Sequence, residues 1–180
     1  MVIMILGTGF EPVEALAPCD ILRRGGVKVQ LAGIGGRQIE AGHGIQVVAD
    51  CTLEEADFEK ADMVVLPGGL GGVRSILGCK MALDAVQKAY EGGKFVAAIC
   101  AGPTILAALH LTDGKTVTCY PGCESQMESA NCVAQNVVRD GKIITGRAAG
   151  AALDFGLELL KALRGEQKAR EIADAIVYRG

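Results

Sequence analysis

The chain of 180 residues is 50% hydrophobic and carries a net charge of −3 at pH 7. These values suit one well-buried core, so we expect a single domain over residues 1–180. Scattered basic residues argue against direct nucleic-acid binding. The apolar run at residues 1–6 is too short for a signal peptide or a membrane span, so we expect a cytoplasmic protein with no membrane partner.

Strand and helix patterns alternate through the first half of the chain. Continuous apolar runs predict buried strands, and apolar residues at helical spacing predict helices. A small hairpin is predicted around Gly42, His43 and Gly44. The predicted strands cover residues 2–6, 27–32, 63–66 and 95–99, the helices residues 11–24, 53–60 and 82–90, and the hairpin arms residues 38–39 and 45–48.

The second half continues with a helix at residues 103–109 and a strand at 116–119. A hairpin follows at residues 136–145 with the turn signal Asp140-Gly141 at its tip. Two helices at residues 151–163 and 167–177 end the chain. This order predicts an α/β fold, a doubly wound and mainly parallel sheet with helices on both faces. Ligands of such sheets bind beyond the carboxyl ends of the strands.

Three segments fall on that edge: residues 7–11, residues 67–69, and Cys100. Cys100 ends an apolar strand and is followed at once by small residues, a proline and a helical pattern. Such a turn presents a side chain to free backbone N–H groups, and the positive end of the helix favours a thiolate nucleophile. The alternative is a buried cysteine that packs as a small hydrophobic residue.

Glu14 lies early in the helix after the first strand, within reach of the same edge. A carboxyl beside a thiolate should share a proton with it, with a raised carboxyl pKa. The alternative is an exposed acid favoured by the helix dipole. Gly68 and Gly69 allow close backbone approach, and their N–H groups with that of Ala101 could form an oxyanion hole. The alternative there is an ordinary tight turn.

Seven cysteines follow neither a paired framework nor CxxC spacing, which indicates reduced thiols. Cys119 and Cys123 are close in sequence but have no second ligand pair, so we expect no metal. We likewise expect no cofactor.

Several motifs resemble the ThiJ/PfpI superfamily, in its parkinsonism-associated deglycase branch, and the match runs almost from end to end. They are Ala98-Ile-Cys-Ala-Gly-Pro-Thr104, Val65-Leu-Pro-Gly-Gly69, Glu14 through Pro18 with Asp20, Arg23-Arg24-Gly25, Val117-Thr118 and Thr145-Gly-Arg147. The resemblance implies a flavodoxin-like sandwich that is usually a homodimer. It also implies glutathione-independent glyoxalase and deglycase activity, with oxidative-stress sensing and chaperone behaviour.

The resemblance assigns roles to individual residues. Cys100 matches the reactive cysteine on a strained elbow, and Glu14 the protonated glutamate that hydrogen-bonds the thiolate and stabilises its sulfinic form. Gly69 and Ala101 match the backbone donors around the sulfur. Arg147 matches an arginine that could offer a cation to an anionic substrate at the pocket rim.

This sequence departs from many relatives because Tyr120 and Ala101 stand where a histidine partner occurs. Without a Cys–His dyad, a peptidase is disfavoured. The Tyr120 hydroxyl could hydrogen-bond substrate or sulfur, or the ring could fill space beside Pro121. We expect His43 on the hairpin and His110 at a helix end.

The leading hypothesis is a cysteine-dependent enzyme for small reactive aldehydes such as methylglyoxal, or for glycated substrates. The rival is a non-enzymatic oxidative-stress sensor or chaperone in which Cys100 becomes sulfinic acid. A nucleotide-binding domain is least supported, because no phosphate loop follows Gly69.

Overall fold

The structure is a computed structural model that describes residues 1–180 and contains eleven strands and six helices. The strands are β1 (Val2–Leu6), β2 (Val29–Gly33), β3 (Gln38–Glu40), β4 (Gln46–Val48), β5 (Cys51–Thr52), β6 (Met63–Leu66), β7 (Phe95–Ile99), β8 (Thr116–Val117), β9 (Asn131–Cys132), β10 (Val137–Asp140) and β11 (Ile143–Gly146). The helices are α1 (Pro12–Arg24), α2 (Leu70–Leu77), α3 (Lys80–Glu91), α4 (Pro103–Ala108), α5 (Ala152–Arg164) and α6 (Glu166–Ala175).

Seven strands form one sheet in the order β10-β11-β7-β6-β1-β2-β5, and only the β10–β11 pair is antiparallel. The strand order reverses between β1 and β6, which is the point where ligands bind in doubly wound sheets. The hairpin β3–β4 forms a separate small sheet, and β8 pairs with β9 in another. The predicted α/β fold with a mainly parallel sheet and a small hairpin is therefore confirmed.

Helices cover both faces of the sheet because its central strands are apolar on both sides. In β1, Val2, Met4 and Leu6 pack into the core on the side of α1 and α5. Ile3 and Ile5 pack into the opposite core, with α2, α3 and α4. This alternation follows from the two-residue period of a strand, and the continuous apolar run of β1 reflects burial on both faces.

The helix predicted over residues 53–60 is wrong. That segment forms turns and a 3-10 turn at Phe58–Lys60. Carboxylates compete for its backbone donors: Glu55 accepts from the Thr52 N–H at 2.9 Å, and Asp57 accepts from the Lys60 N–H at 3.4 Å. Short polar side chains of this kind favour turns over helix.

The sequence patterns also missed α2, which carries adjacent glycines near its start. A Cβ on Gly72 would lie 2.7 Å from the Phe10 Cα, and one on Gly71 would lie 2.9 Å from the Gly9 Cα. Both glycines are therefore required by contact with the loop after β1, although they lower helix propensity. The strand predicted at residues 116–119 is shorter, and it lies outside the main sheet.

None of the helices combines the length and the apolar character that crossing a membrane requires.

The contact between α1 and α5 depends on a helical glycine. A Cβ on Gly156 would lie 2.9 Å from the Pro18 Cα and 2.8 Å from the Ile21 Cδ1, whereas one on Gly150 would meet nothing within 4 Å. We expect Gly156→Ala to lower the free energy of unfolding by about 1–3 kcal/mol through overpacking, and Gly150→Ala to change it by less than about 0.5 kcal/mol. Urea denaturation measures both, and equal stabilities would contradict this packing.

Candidate active site

Cys100 lies on the sharp turn between β7 and α4, with a backbone φ of +66°. A non-glycine residue in this region is strained by about 1–3 kcal/mol. Two backbone hydrogen bonds hold the turn: the Cys100 N–H donates to the Gly146 carbonyl at 2.9 Å, and the Tyr120 N–H donates to the Cys100 carbonyl at 2.7 Å. Neighbouring segments therefore fix the nucleophile on the strained elbow that the resemblance implied.

Glu14 projects from the first turn of α1 into the protein and is only 1% exposed. Its Oε2 accepts the Gly68 N–H at 2.9 Å. The carboxyl is also hydrogen-bonded to the Cys100 side chain and to the backbone of Ala149. The alternative of an exposed helix acid is thus excluded, and Glu14 and Cys100 form one buried pair.

Gly68, just after the end of β6, packs directly against these two side chains. A Cβ at this position would lie 2.5 Å from the Glu14 Oε2 and 2.7 Å from the Cys100 Cβ. Real Cβ atoms do not approach so closely, so only glycine fits without moving one member of the pair. This close approach distinguishes residues 67–69 from an ordinary tight turn.

The backbone N–H groups of Gly69 and Ala101 lie close enough to the Cys100 sulfur to lower the pKa of its thiol. Gly69 has a φ of +84° and precedes α2 directly. The Glu11 N–H donates to the Gly68 carbonyl at 3.0 Å, which joins the loop after β1 to the end of β6. The three segments predicted at the sheet edge therefore converge on one site.

Burial dominates the electrostatics of the pair. It raises the pKa of Glu14 to about 7, while hydrogen bonds from Cys100 and Gly68 act in the opposite direction. Burial also raises the pKa of Cys100 to about 12, with the Glu14 carboxylate as the second cause, and the N–H groups of Ala101 and Gly69 oppose this increase. The N–H groups at the helix end thus favour the thiolate, but burial and the Glu14 carboxylate outweigh them.

The raised pKa of Glu14 does agree with a shared proton. Ionisation of either group disfavours ionisation of the other, so above neutral pH the pair keeps one proton, on the sulfur or on the carboxyl. When that proton lies on Glu14, the carboxylate no longer repels the thiolate and its O–H can donate to the sulfur.

The two pocket candidates with long side chains lie beside this pair. The Tyr120 N–H donates to the Cys100 carbonyl, and the residue is 50% exposed. Arg147 follows the residue whose carbonyl accepts the Cys100 N–H. The backbone N–H groups of Glu124 and Gly122 lower the pKa of the Glu124 carboxylate, and Arg147 contributes in the same direction. The charge of Arg147 therefore lies near the loop that follows Tyr120.

Neither histidine contacts the sulfur. His43 is on the hairpin turn and 80% exposed, with its Nε2 3.7 Å from a Glu11 carboxylate oxygen. His110 follows α4 and pairs with Asp113 at 3.2 Å. The approach of His43 to Glu11 and the backbone contact of Ala149 with Glu14 were not predicted. Both come from loops distant in sequence, and no motif marks them.

The fold and the site together define a class: a doubly wound α/β protein with a strained cysteine paired to a buried glutamate beyond the sheet edge. The model of the DJ-1/PfpI family matches residues 1–162. The chain belongs to this family.

Individual relatives match along nearly their whole length. Protein dj-1beta of Drosophila melanogaster is 36% identical over 97% of this chain and 95% of the relative. Its crystal structure superposes with a TM-score of 0.95, covering 99% of this chain and 98% of that chain at 35% identity. The glutathione-independent glyoxalase DJR-1.2 of Caenorhabditis elegans is 29% identical over 90% of this chain and 87% of the relative.

The pKa of Glu14 generates a prediction about stability. In the unfolded chain this carboxyl should titrate near 4.5, against about 7 in the folded protein. The folded state therefore binds the proton more tightly, and the free energy of unfolding should fall as the pH rises through this window. The shift corresponds to about 3 kcal/mol.

Urea denaturation of the wild type and Glu14→Gln at both ends of the window measures this effect. We expect the wild type to lose about 3 kcal/mol more than Glu14→Gln between the two pH values. The exposed Glu54 provides a matched control, Glu54→Gln, which should follow the wild type. Parallel pH profiles for the wild type and Glu14→Gln would contradict the raised pKa.

Proposed function

We propose that the protein is a cysteine-dependent enzyme of the glyoxalase III or deglycase type, acting on small dicarbonyl aldehydes such as methylglyoxal. The observation that carries the proposal is the buried Glu14 carboxyl, hydrogen-bonded to Cys100, with the Gly69 and Ala101 N–H groups at the same sulfur. The name of the Caenorhabditis elegans relative, a glutathione-independent glyoxalase, supports this class of reaction.

The first step is addition of the Cys100 thiolate to the aldehyde carbon. The proton of the pair then lies on Glu14, so the attacking sulfur is unprotonated while the carboxyl is neutral. As the carbon–sulfur bond forms, the aldehyde oxygen gains negative charge, and the Gly69 and Ala101 N–H groups stabilise it. Glu14 donates its proton to this oxygen, which gives a hemithioacetal and leaves a carboxylate.

The second step uses that carboxylate as a base. Glu14 removes the proton from the former aldehyde carbon and returns it to the neighbouring carbonyl carbon. The hydroxyl proton of the hemithioacetal moves to the neighbouring oxygen, which completes conversion into a thioester of the 2-hydroxy acid. Water then cleaves the thioester, releases lactate and restores the single proton of the pair. The sum is methylglyoxal plus water giving lactate and one proton, and it consumes no cofactor.

This scheme places acid–base work on Glu14 because an imidazole is not available to the sulfur. A pKa near neutrality suits a group that must both donate and accept a proton. Peptide hydrolysis would instead require a general acid for the leaving amine beside the nucleophile. The position of His43 against Glu11 does not provide one.

Methylglyoxal consumption tests the proposal directly. We expect Cys100→Ser to abolish turnover, because a serine hydroxyl is a much weaker nucleophile without an imidazole base. We expect Glu14→Gln to lower kcat by about 10²–10⁴-fold, the usual contribution of general acid–base catalysis.

Cys79 provides the matched control. It lies at the start of α3, away from the pair, so Cys79→Ser should retain wild-type turnover. D-lactate and L-lactate are quantified enzymatically, with circular dichroism to verify folding. Turnover of Cys100→Ser at the wild-type rate would rule out the thiol mechanism.

A second function is favoured by the donors around the sulfur. The Gly69 and Ala101 N–H groups and a protonated Glu14 could also bind the oxygens of a cysteine sulfinic acid. We propose that Cys100 also acts as an oxidative-stress sensor with chaperone behaviour.

Limited peroxide treatment followed by mass spectrometry measures this reactivity. We expect sulfinic acid at Cys100 before it appears at the buried Cys51 or at Cys79. In Glu14→Gln the amide cannot share a proton with the sulfur, so the yield of sulfinic acid at Cys100 should fall several-fold. Equal sulfinic acid yields at Cys100 and Cys51 would count against sensing.

The expected homodimer and cytoplasmic location stay predictions. Exposed apolar side chains on α1 and on the hairpin support a dimer: Val13 and Leu16 are 49% and 38% exposed, and Val48 is 68% exposed. The Gly42 N–H donates to the Phe10 carbonyl, so the hairpin lies next to the start of α1. We propose this combined surface as the contact between two copies.

A further inference from the structure

A second group of thiols lies outside the Glu14–Cys100 pair, and the proposed reaction does not use it. Cys119 and Cys123 are buried at 1% and 8% exposure, and Cys132 is partly exposed. All three belong to or pack against the same core, on the α2 and α4 side of the sheet. Their arrangement is not one that could hold a metal ion.

Strand pairing brings Cys119 and Cys132 together. The β8–β9 ladder pairs Val117 with Cys132, and Cys119 lies two residues beyond Val117. The Val133 N–H donates to the Val117 carbonyl at 2.9 Å, which fixes the register beside this pair. Val117 and Cys119 are buried in the same core, so the Cys119 side chain lies on the side where Cys132 packs.

The two thiols interact directly. Burial raises the pKa of Cys119 to about 12, and a hydrogen bond with Cys132 is among the further causes. Burial also raises the pKa of Cys132, but its hydrogen bond with Cys119 opposes that increase. The thiol of Cys132 is therefore both the more accessible of the two and the one whose ionisation its partner assists.

We propose that Cys119 and Cys132 form a reversible intramolecular disulfide on exposure to hydrogen peroxide, as a redox modification site separate from Cys100. The ladder pairs Cys132 with Val117, two residues before Cys119, both thiols lie at the same core, and Cys132 is open to a small oxidant. Cys123 shares the core, but Cys132 is not among the groups that shift its pKa.

The redox step balances in two parts. The Cys132 sulfur attacks one peroxide oxygen, the O–O bond breaks, and a sulfenic acid and one water form. The Cys119 sulfur then attacks the sulfenic sulfur, the S–O bond breaks, and a second water leaves as the S–S bond forms. Each thiol has given up one electron and one proton, and peroxide has accepted two electrons and two protons to form two waters.

A disulfide between Cys119 and Cys132 would constrain residues 118–120, the segment that is hydrogen-bonded to Cys100. Cys119 is adjacent to Tyr120, whose N–H donates to the Cys100 carbonyl at 2.7 Å. Thr118 is anchored by its N–H to the Thr145 hydroxyl at 2.9 Å. A disulfide would therefore attach β9 to the short segment that links the β8–β9 sheet to the site.

Peptide mapping tests the proposal in a Cys100→Ser background, so that Cys100 does not consume the oxidant and enzymatic turnover plays no part. Residues 116–139 form one tryptic peptide, because no lysine or arginine lies between Lys115 and Arg139. Further cleavage after Glu124 and Glu128 separates Cys132 from Cys119 and Cys123. We expect the two fragments to stay joined after peroxide and to separate on treatment with dithiothreitol.

Single variants identify the bonded residue. Cys123→Ser should keep the joined fragments, whereas Cys119→Ser and Cys132→Ser should lose them, with circular dichroism to verify folding. If Cys119→Ser does not fold, the fragments from Cys123→Ser still decide between the two partners. A bond that survives in Cys119→Ser, or sulfinic acid at Cys132 beside a free Cys119, would overturn the proposal. So would a Cys100–Cys119 bond in the wild type.

Discussion

The contact between the Gly68 backbone and the Glu14–Cys100 pair is the constraint on which the site depends. It joins the end of β6, the first turn of α1 and the turn after β7, three elements that are neighbours only because β1, β6 and β7 are adjacent in the sheet. A Cβ at residue 68 would lie 2.5 Å from the Glu14 Oε2, closer than real Cβ atoms approach. Sheet order therefore brings the acid and the thiol together, and one missing Cβ lets them touch.

That contact explains how the Cys100 thiol can exchange a proton with a neighbouring side chain although no imidazole is present at the site. Burial raises the pKa of both groups, so the site holds on to a proton that either group can carry. A histidine partner would place a positively charged imidazolium beside the thiolate. Protonated Glu14 instead supplies a neutral O–H hydrogen-bond donor. The result is a site suited to moving one proton over a short distance rather than to protonating an amine leaving group.

Much of this could be predicted from the sequence because the relevant signals are local. The apolar runs of β1, β6 and β7 have the length and composition of buried strands, and topology then places residues 7–11, 67–69 and Cys100 at one edge. The helix α2 was missed because Gly71 and Gly72 are selected by contact with residues 9 and 10, which is a tertiary effect. The contacts of Ala149 with Glu14 and of His43 with Glu11 depend on loop paths, for which the residues themselves carry no signal.

The surroundings of each cysteine determine which oxidation product it can form. The neighbours of the Cys100 sulfur are the Glu14 carboxyl and two backbone N–H groups. These groups can hydrogen-bond oxygens added to the sulfur, but they offer no second thiol for a disulfide. Cys119 and Cys132 contact each other instead, so a sulfenic acid on one lies beside a thiol that can displace its oxygen. Oxidation of the first centre thus adds oxygen, whereas oxidation of the second removes hydrogen and is reversed by thiols. Because Tyr120 links the two centres through one hydrogen bond, a reversible change at the second can alter the support of the turn that carries the first.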